Sequence, residues 1–110
     1  MENITRIVEV VNSQLPLFDP GAIVFSRLVG KQVQEHGLEP FAELLFRHVH
    51  GDFGEISEDD IQLNYESLAI NSHGRVVSSY RLSLENFSEV VWVITDADGA
   101  FTTFLLPSEY

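Results

Sequence analysis

Four histidines, seventeen carboxylates and six basic side chains are the groups in this 110-residue chain that could move protons, hold metals or grip anions. Histidine titrates nearest neutrality and is the commonest metal ligand. His48 and His50 flank Val49, and Asp52 follows. Residues two apart on a helix point about 200° from one another, so this pair chelates one metal only if the helix has ended before His50. The simpler reading puts both rings, with Arg47, near the negative end of a helix, where a proton on the ring is favoured. Asp96-Ala97-Asp98-Gly99 brings two carboxylates together but lacks the remaining ligands and the terminal Glu of a calcium loop, and a hairpin turn accounts for it better. No metal and no cofactor is expected.

A second constellation comes from strand alternation. Arg75, Ser79 and Arg81 fall on one face of their strand, and Thr95, Thr102 and Thr103 come from its neighbours. Such a polar sheet face could grip phosphate, as in metal-free ribonucleases and toxins, where Arg stabilises the charged transition state and His or Glu moves the 2′-hydroxyl proton. The catalytic set would be His48, Arg75, Ser79, Arg81 and Thr103. The alternative is the solvated outer face of a one-sided sheet, which ordinarily carries Ser, Thr and Arg. No Ser-His-Asp spacing, phosphate-cradling Gly loop or dinucleotide fingerprint is present. Zero Cys excludes disulfides, thiolate zinc sites and a Cys nucleophile.

The charge distribution is the least ordinary feature. The net charge is −11, which opposes unaided binding to nucleic acid or an anionic membrane. Asp52, Glu55, Glu58, Asp59, Asp60 and Glu66 lie between positions 52 and 74, a stretch with no Lys or Arg. Clustered on a loop and a first helical turn, these six form a negative patch that resembles a phosphate backbone and could occupy the basic groove of a nucleic-acid enzyme. Helix capping and solubility also account for them. No apolar run approaches the roughly 18 to 20 residues of a membrane span, and Met1 to Arg6 lacks the layout of a secretory signal, so a cytoplasmic protein is expected.

The elements that must position these groups follow from periodicity. Residues 1–110 read as one domain: a variable segment over 1–19, a helical part over 20–70 and a β-meander over 75–107. Ile4 to Val11 alternates as a strand. Asp19-Pro20 then predicts a helix running to His36, with Ile23, Phe25, Leu28, Val29 and Val33 on its apolar face and Gly37 as its stop. Glu39-Pro40 opens a second helix with Phe41, Leu44, Leu45 and Val49 inward. Ser57 caps a third, carrying Ile61, Leu63, Tyr65, Leu68 and Ile70 and ending near Asn71. From Arg75 the period changes to two; Val90 to Thr95 and Ala100 to Leu106 complete the meander about Asp98-Gly99. The fold class is α+β, two layers, with about three helices packed on a three- to four-stranded antiparallel sheet. Tyr80, Trp92, Phe101 and Phe104 are expected in its core. Phe53 and Tyr110 are candidate interface anchors.

The segments Phe46-Arg47-His48-Val49-His50-Gly51-Asp52-Phe53-Gly54, Asn64 to Leu68, Gly74-Arg75-Val76-Val77-Ser78-Ser79-Tyr80, Val91-Trp92-Val93-Ile94-Thr95-Asp96-Ala97-Asp98 and Thr102 to Tyr110 together resemble a group of small proteins carried on bacterial plasmids, prophages and integrative elements. Phe53 stands where that group usually has Trp. The resemblance covers roughly residues 20 to 110 and implies a mobile-element setting rather than a reaction. Three readings follow. The first is a non-enzymatic acidic accessory protein, an inhibitor of a host defence nuclease of the anti-restriction or anti-CRISPR type, whose partner is a protein and which binds neither nucleic acid nor membrane. The second is the small ribonuclease described above. The third is a homodimer formed through the open edge of the meander.

Overall fold

Between Asp19 and Gly37 the chain forms two elements where its apolar spacing predicts one helix. The computed structural model describes residues 15–69 and 74–110. In it Ala22–Phe25 is a strand, β1, and the helix α1 begins only at Arg27, running to His36. Ser26 is the true cap, its hydroxyl accepting from Val29 N at 3.2 Å. The run Ala-Ile-Val-Phe fits a pleated surface better than a helical turn, and a strand explains it once a sheet edge is there to receive it. Gly21 makes the entry possible. Its φ is 67°, and a Cβ there would collide with the carbonyls of Gly99 and Ala100.

The remaining elements follow in order: α2 (Glu39–Val49), α3 (Glu58–Leu68), β2 (Val76–Leu84), β3 (Phe87–Thr95), β4 (Phe101–Leu105) and a 3₁₀ turn at Pro107–Glu109. The sheet order is β1-β4-β3-β2, with β2·β3 and β3·β4 antiparallel and β1·β4 parallel. The fourth strand is therefore β1, and the sheet is mixed. The strand read at Ile4 to Val11 and the helical position of Ile70 lie outside the described residues. Strand β3 starts three residues before Val90, because Glu85-Asn86 closes a tight hairpin in which Asn86 takes φ 64°.

Helices α1 and α2 cover one face. Val29, Phe41 and Leu44 meet Tyr80, Phe87, Val91, Val93, Phe104 and Leu106 in a continuous core. Each such side chain withdrawn from water contributes roughly 1.5 to 3 kcal/mol before the entropy of ordering it is counted. Two residues expected in this core lie elsewhere. Trp92 alternates to the outer face, where its ring meets Tyr110 edge-on at 5.5 Å, and Phe101 is 47% exposed beside β1. Helix α3 does not join the helical layer on the face but lies along the β2 edge, with Asn64 its one buried residue.

Candidate functional site: a sealed polar chain and an acidic helix

The turn that closes α2 brings its motif residues to the sheet. Arg47 Nε holds Asp52 Oδ2 at 2.7 Å, and Arg47 Nη2 holds Oδ1 at 3.3 Å. The Asp52 carboxylate raises the Arg47 pKa, and the guanidinium in turn holds Asp52 below the usual carboxylate range. The same guanidinium lies 4.6 Å from the centroid of the Tyr80 ring, whose hydroxyl donates to Asp52 O at 2.6 Å. Burial raises that phenol to about 12. Gly54 then pairs with Ser79, where a Cβ would strike the Ser79 carbonyl, and Phe53 is buried against Tyr65 and His48. Asp52 O, Phe53 O and Glu55 N fasten the turn to β2, through the Tyr80 hydroxyl and the Ser79 backbone.

His48 points inward and is fully buried. Its Nδ1 lies 2.6 Å from Ser78 Oγ and its Nε2 2.9 Å from Thr95 Oγ1; Thr95 Oγ1 lies 2.6 Å from Thr102 Oγ1, which donates to Pro20 O at 2.6 Å. A carbonyl only accepts, and each hydroxyl has one proton, so the direction of the chain is determined from its end. Thr102 gives its proton to Pro20 O, Thr95 gives to Thr102, His48 Nε2–H gives to Thr95, and Ser78 gives to Nδ1. The ring is neutral in this arrangement. Burial lowers its pKa to about 4, which corrects the expectation that the helix terminus favours a proton there: desolvation outweighs the dipole. Phe18 and Phe53 pack edge-on against the ring, at 5.3 and 6.3 Å. His50, by contrast, stacks on Phe46 at 4.0 Å and donates to its carbonyl at the helix end.

The sheet separates the residues of the phosphate-gripping constellation. Ser78, Thr95 and Thr102 share the inner face with His48, whereas Ser79 and Thr103 alternate to the outer one. Arg75 donates to the Tyr110 hydroxyl at 2.7 Å on the outer side, and Arg81 pairs with Glu55 Oε2 at 3.1 Å at the β2 edge. His48 is thus inside while Arg75, Ser79, Arg81 and Thr103 stand outside. Among the described residues no group of three His, Asp or Glu side chains is placed to hold a metal ion.

The carboxylates divide in two. Asp52 and Glu55 are each paired with an arginine, whereas Glu58, Asp59, Asp60 and Glu66 are exposed and have no cationic partner among the described residues. These four belong to α3, which begins where Ser57 Oγ accepts from Asp60 N at 3.1 Å. Its first turn is stabilised by acids at the positive end of the dipole. The middle of the helix is held by Asn64, whose amide donates to Val77 O at 2.8 Å and accepts from Val77 N at 2.9 Å, standing in for a missing neighbouring strand. With Asn64 inward, the 100° step of a helix turns Glu58, Asp59, Gln62 and Glu66 outward and sets Leu63 and Tyr65 on either flank. Leu63 is 56% exposed and Tyr65 50%. Sequence reasoning named the acids of this surface and missed its apolar members, because Leu63 and Tyr65 read as a helical core stripe.

Comparison with family models, with curated proteins and with solved structures gave no match. Among the described residues, His48, Asn64, Ser78, Thr95 and Thr102 are the buried polar side chains.

Proposed function

We propose that this protein acts by binding another protein, through the outward surface of α3, and that it performs no catalysis of its own. The observation that carries this reading is the make-up of α3. A helix whose one buried residue is Asn64 leaves Leu63 and Tyr65 half in water beside Glu58, Asp59 and Glu66. Apolar side chains interleaved with unpaired carboxylates suit a partner surface that is itself basic with apolar patches. A groove that normally receives nucleic acid has that character. Together with the resemblance to proteins of plasmids and prophages, this makes a host defence nuclease the partner class, of the kind targeted by anti-restriction and anti-CRISPR factors, and the cytoplasm the setting. The polar chain at His48 supports the same reading, since its reactive groups are sealed beneath Phe18 and Phe53 and face one another rather than a cleft.

The test is affinity capture from bacterial lysate at low and at high salt, with mass spectrometry of what is retained. A nucleic-acid enzyme held at low salt and released at high salt is the expected result. Retention of no nucleic-acid-binding protein under either condition contradicts the proposal.

A further inference from the structure

The first half of the meander's own outer edge is closed, because Asn64 and the Phe53 to Glu55 segment occupy the outward groups of Val77 and Ser79 on β2. The open edge is at the other end of the sheet. Ala22 N bonds Ala100 O and Ser26 N bonds Phe104 O, so even-numbered residues of β1 face β4, and the amides and carbonyls of Ile23 and Phe25 point away from it. Among the described residues nothing pairs with them.

We infer that a second copy of this chain pairs there, β1 against β1 in antiparallel sense about a two-fold axis through Val24, joining two four-stranded sheets into one. The parity of β1 selects this register. Ile23 of each copy exchanges both backbone hydrogen bonds with Phe25 of the other, and the two Val24 residues meet at the axis. Such an axis, perpendicular to the sheet, keeps the faces aligned. On the helical side Ile23 and Phe25 of both copies become contiguous with the apolar groove lined by Leu38, Ala42 and Leu45. Ile23 is 38% exposed, Val24 39% and Leu38 59%, so the pairing covers apolar surface that the single chain leaves in water.

Charge favours the same antiparallel sense. The strand Ala22–Phe25 carries no charge in a chain of net −11, and is bracketed by exposed Asp19 and exposed Arg27. Arg27 opens α1 just after the strand and Asp19 lies just before it, so an antiparallel pairing turns the cationic flank of each copy toward the anionic flank of the other. A four-residue strand makes a small interface, so dissociation in the micromolar range is expected. This pairing does not draw on the α3 proposal.

The experiment is sedimentation equilibrium of the full chain from micromolar concentration to about 1 mM. A monomer–dimer equilibrium is expected for the wild type. Val24→Lys sets two ammonium groups at the axis and should weaken the dimer more than tenfold, with the unfolding midpoint little changed because Val24 is on the outer face. Ile23→Pro removes an outward amide the monomer does not use and should do the same. Arg27→Asp should weaken association, and Asp19→Arg with Arg27→Asp should restore it. A wild type that stays monomeric at the highest concentration overturns the inference, as does a Val24→Lys variant that dimerises like the wild type.

Discussion

His48 Nε2 donates to Thr95 Oγ1 at 2.9 Å, joining the last turn of α2 to the end of β3 with no water-exposed atom on the ring. Through Ser78 and Thr102 the same ring reaches β2 and β4, and through Pro20 O it reaches the segment that leads into β1. One side chain thereby fixes a helix to all four strands. A buried network of this kind is stabilising only while every member is satisfied.

Thr95→Val keeps the shape of the side chain and removes the hydroxyl. His48 Nε2–H then has no acceptor and Thr102 loses its donor, in a place water does not reach. A loss of about 1 to 3 kcal/mol is expected in urea unfolding at pH 7. A change within a few tenths of a kcal/mol would mean that the chain is not joined as described.

The folded state should lose stability between pH 6.5 and 4. An unfolded His takes up its proton near 6.5, whereas His48 in the folded protein does so only near 4, so within this window the unfolded chain binds more protons. Its contribution is full above pH 6.5 and declines as the pH falls, by about 3 kcal/mol in total and about 2 kcal/mol by pH 5. Denaturant unfolding at pH 7 and pH 5 reads it. In His48→Gln the decline should shrink, and an equal decline in both proteins would assign it to other groups.

Asn64→Leu retains bulk at the α3 contact but strips Val77 of both edge partners. The Val77 amide should exchange with solvent faster, and stability should fall by about 1 to 3 kcal/mol. Unchanged exchange at Val77 would show that the edge is closed by something else.

Much of the architecture was legible because period and punctuation agreed. Ser57 with three acids marked α3, Glu39-Pro40 marked α2, and the switch to period two at Arg75 marked the meander. Strand β1 was hidden because Ile23, Phe25, Leu28 and Val29 satisfy a helical period by accident, and only the sheet edge, a tertiary feature, makes Ala22–Phe25 extended. The role of His48 was equally hidden. Its neighbours Ser78, Thr95 and Thr102 were visible as polar strand residues, but which face each takes depends on register, and one step separates Ser78 inside from Ser79 outside. The carboxylates were legible as a cluster, while the pairing of Asp52 and Glu55 with Arg47 and Arg81 was not.

Glu66→Lys should read the charge of the α3 surface without weakening the helix, since a cation in the last turn suits the dipole. Stability should stay within about 0.5 kcal/mol of the wild type, while the salt dependence of partner binding should flatten. Leu63→Ser should weaken binding without that flattening. If both variants bind the captured partner as the wild type does, the surface lies elsewhere on the molecule.

The decisive measurement is the affinity of Glu58→Lys/Asp59→Lys/Glu66→Lys for the captured partner beside that of the wild type, by calorimetry at low and high salt, with circular dichroism to confirm that the variant is folded. The α3 surface predicts that the folded triple variant binds at least a hundredfold more weakly at low salt and no longer inhibits the partner, a loss of about 3 kcal/mol. A folded triple variant that binds and inhibits like the wild type would contradict the acidic helix as the site of action.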